Sequence, residues 1–122
     1  MANPSTVPAS SAGTEILRRS YANGLTNSNV KIIDGDANYT YTVLSLIFCS
    51  QSTTNTEEIH MWIDIEDSGT EIWLLHGQTL PPKATFVWEN KIMLSGTDEL
   101  IIKTDSAGDT DVYCTYIEQR WA

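Results

Sequence analysis

Residues 57–66 constrain the fold more than any other segment, because an apolar side chain occupies every second position from Ile59 to Ile65. One parity holds Ile59, Met61, Ile63 and Ile65. The other parity holds Glu58, His60, Trp62, Asp64 and Glu66. Successive side chains of a β-strand point to opposite faces, so this period of two predicts an antiparallel strand with one buried face.

The residues that follow predict a hairpin. Asp67-Ser68-Gly69 is a turn signal, and residues 70–75 are expected to return as the second strand. We take Ser68-Gly69 as a two-residue loop. The pairs that result are Ile65 with Ile72 and Ile63 with Leu74 on the buried face, and Trp62 with Leu75 and Asp64 with Trp73 on the outer face.

The rest of the chain continues as short strands between turn signals. The second half of residues 39–51 is apolar on both parities, which is typical of a central strand covered on both sides. Residues 14–24 fit a short helix or a strand. The spacing predicts an all-β protein, an antiparallel β-sandwich of jelly-roll type with about eight strands.

The domain organisation follows from length and composition. A chain of 122 residues is enough for one domain. Residues 1–13 are small, nearly uncharged and contain two prolines, so they are expected to form an extended arm, either disordered or ordered against a neighbouring subunit. Residues 14–122 are expected to form the sandwich domain.

The charge of the chain excludes several partners. Lys plus Arg number 7 and Asp plus Glu number 16, giving a net charge of -9. Such a surface repels phosphate backbones and anionic lipid, so we expect neither nucleic acid nor a membrane as partner. No apolar stretch approaches the ~20 residues of a membrane span. The first residues show no signal peptide, which favours synthesis and assembly in a cytoplasm.

Catalytic, cofactor and metal sites are not predicted. The two histidines, His60 and His76, are expected at the surface with no nucleophile beside them. Cys49 and Cys114 are expected to be reduced, buried thiols. No residues have zinc-site spacing.

One acidic segment leaves a calcium site open. Asp105, Asp109 and Asp111 lie close together in sequence around a predicted turn, where their carboxylates would be near one another. Aspartate is also a favoured turn residue, and this ordinary role is the preferred interpretation.

A protein-interaction surface is the most specific site the sequence indicates. Trp62, Trp73 and Leu75 are predicted to lie together on the outer face of the hairpin, and large exposed aromatic side chains are typical of interfaces. The alternative is that a second sheet or the N-terminal segment covers this face. Further candidate contacts are Trp121 and, in the arm, Val7 and Pro8.

Three segments resemble a known group of proteins. They are residues 72–85 (IWLLHGQTLPPKAT), 91–100 (KIMLSGTDEL) and 111–118 (DVYCTYIE). They are similar to small virion structural proteins of tailed bacteriophages, especially marine and cyanobacterial ones, over roughly residues 57–119. Thr97-Asp98-Glu99 stands where that group has Gly-Asp, a shift of one residue.

The resemblance implies a non-enzymatic β-sandwich built into a phage particle. The expected role is capsid cement or decoration, with the major capsid protein and other copies of the chain as partners, and the virion as location. The alternatives are a head–tail neck or connector protein and a tail or fibre-attachment protein. A carbohydrate-binding module remains a separate alternative, because exposed tryptophans stack on sugars.

Overall fold

A computed structural model describes residues 15–105 and 108–120, which form nine strands in two antiparallel sheets. The all-β sandwich is confirmed. The strands are β1 (Glu15–Leu25), β2 (Val30–Asp34), β3 (Tyr39–Ser50), β4 (Glu57–Ile65), β5 (Thr70–Leu80), β6 (Thr85–Trp88), β7 (Ile92–Ser95), β8 (Glu99–Thr104) and β9 (Thr110–Arg120). The segment left open between helix and strand is β1, the additional strand. The predicted arm, residues 1–13, lies outside the described residues, as does Trp121.

Strand β3 organises the larger sheet. The strand order is β1-β9-β3-β6, and β7 pairs with β3 beside β6. The smaller sheet has the order β2-β8-β4-β5. Both sheets join strands that are distant in sequence, so each outer face combines residues that lie far apart along the chain. In the described residues no helix is long and apolar enough to cross a membrane.

The core lies between the two sheets and follows the alternation of each strand. The larger sheet contributes Leu25, Tyr41, Val43, Leu46, Phe48, Ile92, Leu94, Val112 and Cys114. The smaller sheet contributes Ile32, Ile33, Ile59, Met61, Ile63, Leu75, Leu80, Leu100 and Ile102. Burying a large aliphatic or aromatic side chain contributes roughly 1.5–3 kcal/mol each, so this layer supplies most of the stabilisation.

The register of the β4–β5 hairpin differs from the prediction. The connection has four residues, 66–69, and bulges shift the pairing twice along β5. Trp62 therefore lies opposite Trp73, while Leu75 lies opposite Met61 and joins the core. The predicted place of Leu75 on the outer face was wrong. A bulge in β5 between Trp73 and Leu75 reverses the alternation of side chains, so Leu75 points to the core.

Side-chain contacts explain the longer connection. Glu66 and Asp67 both have positive φ angles, of 53° and 52°. The Asp98 carboxylate accepts a hydrogen bond from Glu66 N at 2.9 Å, and the Asp64 carboxylate accepts one from Gly69 N at 2.9 Å. These hydrogen bonds stabilise the four-residue turn that stands in place of the predicted two-residue loop.

The two cysteines lie on opposite sides of the larger sheet. Cys114 is buried in the core, as predicted, and burial raises the pKa of its thiol to about 12. Cys49 is exposed on the outer face, so its predicted burial was wrong. The second parity of β3 is covered by no described residue of this chain, although the sequence predicted cover on both sides.

Gly35 lies where two loops approach each other closely. A Cβ on this residue would lie 2.2 Å from the carbonyl oxygen of Gly96 and 2.4 Å from that of Asp98. Since backbone atoms cannot yield cheaply, Gly35→Ala should lower the free energy of unfolding by about 3 kcal/mol or more. Urea denaturation measures it. Gly69→Ala is the control: a Cβ there meets nothing within 4 Å, and only its positive φ should cost about 1 kcal/mol.

Candidate functional site

The outer face of the smaller sheet carries the predicted tryptophan pair. The rings of Trp62 and Trp73 stack with centroids 4.5 Å apart. Trp62 is only 3% exposed, because it lies between Trp73 and Ile101 on the neighbouring strands and below the Lys103 ammonium. Trp73 is 41% exposed. The predicted patch is therefore reduced to one accessible indole ring resting on a buried one.

His60 lies beside this pair and is not at the surface. Its ring packs edge-on to Trp73 and is 9% exposed, so the predicted surface location was wrong for His60. His60 Nε2 lies 2.7 Å from Asp105 Oδ1. His60 Nδ1 is buried and has no hydrogen-bond partner in the part of the chain that the structure describes. His76, opposite His60 on β5, is exposed as predicted.

Two carboxyl groups meet at the end of this face. Glu58 is hydrogen-bonded to Asp105, and this contact raises the pKa of Glu58 and lowers the pKa of Asp105. The contact to His60 lowers the pKa of Asp105 further. Of the two carboxyl groups, Asp105, beside the imidazole, is therefore the stronger acid.

The predicted grouping of Asp105 with Asp111 does not form. Asp105 follows β8 and points to the outer face of the smaller sheet, while Asp111 belongs to β9 in the larger sheet. The Asp111 carboxylate accepts hydrogen bonds from the Asn23 side chain, Gly24 N and the Gln51 side chain. It joins two strands and a loop, which is a structural role.

A second surface, which sequence reasoning missed, covers the outer face of the larger sheet. Its residues stand in two rows that cross the strands from edge to edge. The first row is Tyr21, Tyr113, Ile47 and Val87, and the second is Leu17, Ile117, Thr42 and Met93. Tyr21 is 64% exposed and Met93 is 67% exposed. We call these eight residues the apolar face.

A shallow groove of 340 Å³ lies along the first row of the apolar face. Arg19 borders one side of the groove, with its guanidinium 5.6 Å from the centre of the Tyr21 ring. A hydrogen bond to Tyr113 raises the pKa of Arg19. Asn23 and Asp111 border the other side. The groove thus has a positive and a negative side with tyrosine rings between them.

One sequence signal pointed to the apolar face. The two apolar parities of β3 indicated cover on both sides, and Ile47 and Cys49 belong to the parity that faces outward. Cross-strand neighbours decide whether such residues form a patch, and that information is not in the sequence of β3 alone. The predicted contacts Val7, Pro8 and Trp121 lie outside the described residues.

Comparison with known proteins identifies the fold. No protein family model and no curated protein matches the sequence. A protein from Bacillus endospore appendages, described as disulfide-linked pili, superposes with a TM-score of 0.56 at 12% identity, covering 96% of this chain and 97% of that one. This likeness establishes the fold alone.

Two further structural neighbours are viral. A pentameric capsid protein from metagenomic phage sequences has a TM-score of 0.45 at 14% identity, and the match covers 84% of this chain and 60% of that one. A protein of the IBDV viral particle has a TM-score of 0.48 at 10% identity, covering 92% of this chain and 37% of that one. The three neighbours named are thus one pilus protein and two proteins of viral particles.

The two tryptophans should differ in their effect on stability. Trp62→Ala removes a buried ring from between two strands and should lower the free energy of unfolding by about 3 kcal/mol. Trp73→Ala removes a half-exposed ring and should cost about 1 kcal/mol. Urea denaturation followed by circular dichroism measures both, because it does not depend on tryptophan emission. Equal costs would contradict the burial difference.

Proposed function

We propose that this protein is a non-enzymatic structural subunit that assembles through the apolar face. The observation that carries the proposal is the pair of apolar rows on the larger sheet. Isolated exposed apolar residues are common on monomeric proteins, whereas a row of exposed apolar side chains that runs across four neighbouring strands is typical of an interface. Tyrosine is also enriched at interface hot spots, and two tyrosines, Tyr21 and Tyr113, belong to the first row.

A second copy of the chain fits the apolar face by charge. Arg19 precedes Tyr21 by two residues on β1, and Asp111 precedes Tyr113 by two residues on the antiparallel β9. The two charges therefore lie on opposite sides of the tyrosine row. A two-fold axis that runs along this row, between two facing copies, would place Arg19 of each copy beside Asp111 of the other. Such self-complementarity is what an isologous dimer requires.

The finer assignment is capsid cement or decoration of a phage particle. It is supported by the resemblance of residues 57–119 to tailed-phage virion proteins, and by a net charge of -9, which disfavours contact with a packaged genome. A similar fold builds pili in Bacillus endospore appendages, so the fold is suited to assembly. Other copies of the chain and the major capsid protein would be its partners, and the virion would be its location.

Charge placed in the apolar face should prevent self-association. Ile47→Glu and Tyr113→Glu are each expected to convert oligomers to monomers and to weaken association by about tenfold or more, since a buried unpaired charge is strongly unfavourable at an interface. Sedimentation velocity over a concentration series measures this. Circular dichroism verifies that the variants fold.

Ile72→Glu is the matched control for this experiment. Ile72 is also exposed and apolar, but it lies on β5 at the edge of the other sheet. This variant should associate like the original protein. A protein that is monomeric at all concentrations, or an Ile72→Glu variant that dissociates as fully as Tyr113→Glu, would refute assembly through the apolar face.

Counting copies in purified virus particles tests the finer assignment. Quantitative mass spectrometry should find about one copy per few major capsid subunits if the protein is cement, since such proteins bind the repeating lattice. A few dozen copies or fewer would indicate the neck or the tail. Absence from particles would refute the virion assignment. Sugar binding through the exposed Trp73 ring would then be the leading alternative, tested with Trp73→Ala in a glycan-binding assay.

A further inference from the structure

The outer face of the smaller sheet gathers metal-ligand side chains from three strands. Glu58 and His60 are two residues apart on β4 and so share a face. Ile59 pairs with Thr104, so Asp105 takes the next position in register, opposite Glu58. One ligand atom from each of Glu58, His60 and Asp105 lies within 4.8 Å of the other two. His76 faces His60 from β5, with ring centroids 5.7 Å apart.

A bulge in β5 makes room for this cluster. The β4–β5 pairing shifts at Gly77, whose φ is +84°. A Cβ on Gly77 would lie 3.6 Å from Glu58 Oε2, so the Glu58 carboxylate lies directly against this glycine. The bulge at Gly77, whose left-handed backbone glycine adopts readily, thus places His76 opposite His60 on the face that carries Glu58.

His60 is a buried imidazole that presents one ring nitrogen to the two carboxyl groups. It is 9% exposed, its Nε2 points at Asp105, and its Nδ1 has no hydrogen-bond partner among residues 15–105 and 108–120. The adjacent carboxyl groups of Glu58 and Asp105 repel each other whenever both are ionised. A cation between these side chains would relieve that repulsion and bind the imidazole through Nε2, the nitrogen that faces Asp105.

We propose that Glu58, His60 and Asp105 form a binding site for a divalent transition-metal ion such as Zn²⁺, with His76 as a fourth ligand. Two imidazoles and two carboxylates suit Zn²⁺ and its neighbours, whereas Ca²⁺ and Mg²⁺ prefer sites made of oxygen alone. Zinc ligands lie about 2.0–2.2 Å from the ion. The exposed side chains of Glu58, Asp105 and His76 would therefore have to turn toward one point to close the site around the ion.

The sequence predicted no metal site because none of these residues has zinc-motif spacing. Asp105 stands 45 residues beyond His60 and reaches it only through the pairing of β4 with β8. The acidic trio of Asp64, Asp67 and Glu99 on the same face differs from this cluster, since it contains no imidazole. The proposed site is independent of the apolar face, which lies on the other sheet.

Zinc titration of the untagged full-length protein tests the proposal. Isothermal titration calorimetry at pH 7.5 in a non-chelating buffer should detect one site per chain. Loss of an outer-shell partner of a metal ligand typically weakens metal binding about 10–100-fold, and loss of a ligand weakens it more. Glu58→Gln and Asp105→Asn should therefore each weaken zinc binding by about tenfold or more. Excess Ca²⁺ or Mg²⁺ should not displace Zn²⁺. Both variants keep the shape of the side chain, and circular dichroism verifies that they fold.

Glu71→Gln is the matched control. It removes the same charge as Glu58→Gln from an exposed position elsewhere on the face, opposite Asp64, and should bind Zn²⁺ like the original protein. Co²⁺ in place of Zn²⁺ should give visible absorption bands that Asp105→Asn abolishes.

Three results would overturn the proposal. One is the absence of a zinc site in the original protein. The second is equal zinc affinity in the original protein and in both cluster variants. The third is full displacement of Zn²⁺ by Ca²⁺, which would mean that carboxylates alone bind cations here. If Asp105→Asn does not fold, Glu58→Gln decides, because the Glu58 side chain is exposed and its replacement leaves the core unchanged.

Discussion

The packing of β3 against the opposite sheet is the contact on which the rest of the structure depends. Its inward side chains Val43, Leu46 and Phe48 are fully buried, and the strand pairs with β9, β6 and β7 along its two edges. Because each sheet must bury one face to cover this apolar layer, each has one outer face left over. The surface chemistry of the sandwich is therefore set mainly by those two faces.

The two outer faces differ in chemistry. The larger sheet presents two apolar rows. The first contains tyrosines on β1 and β9, and Arg19 and Asp111 lie on opposite sides of the groove along it. The smaller sheet presents stacked indoles with imidazoles and carboxylates at one end. An apolar face suits a protein partner, and a face of imidazoles and carboxylates suits a cation. One sandwich can therefore assemble through one sheet and bind an ion on the other.

Local patterns predicted the elements better than the contacts between them. The alternation of residues 57–66 predicted β4 and its buried face correctly, since the period of a strand is a local property. The register of the hairpin was wrong, and with it the place of Leu75, because the turn has four residues and β5 carries two bulges, at Leu74 and Gly77. His60 was expected at the surface, but it is buried because Asp105, far along the chain, and Trp73 cover it.

The sequence by itself determined the fold class and the buried parity of the clearest strand. Both follow from side-chain period and composition, which are local properties of the chain. The tertiary structure decided which residues meet. Antiparallel pairing between distant strands aligned Tyr21, Tyr113, Ile47 and Val87 in one row and brought Asp105 to His60. Such neighbours are set by strand order and register, which depend on the packing of the whole sandwich and not on any one segment.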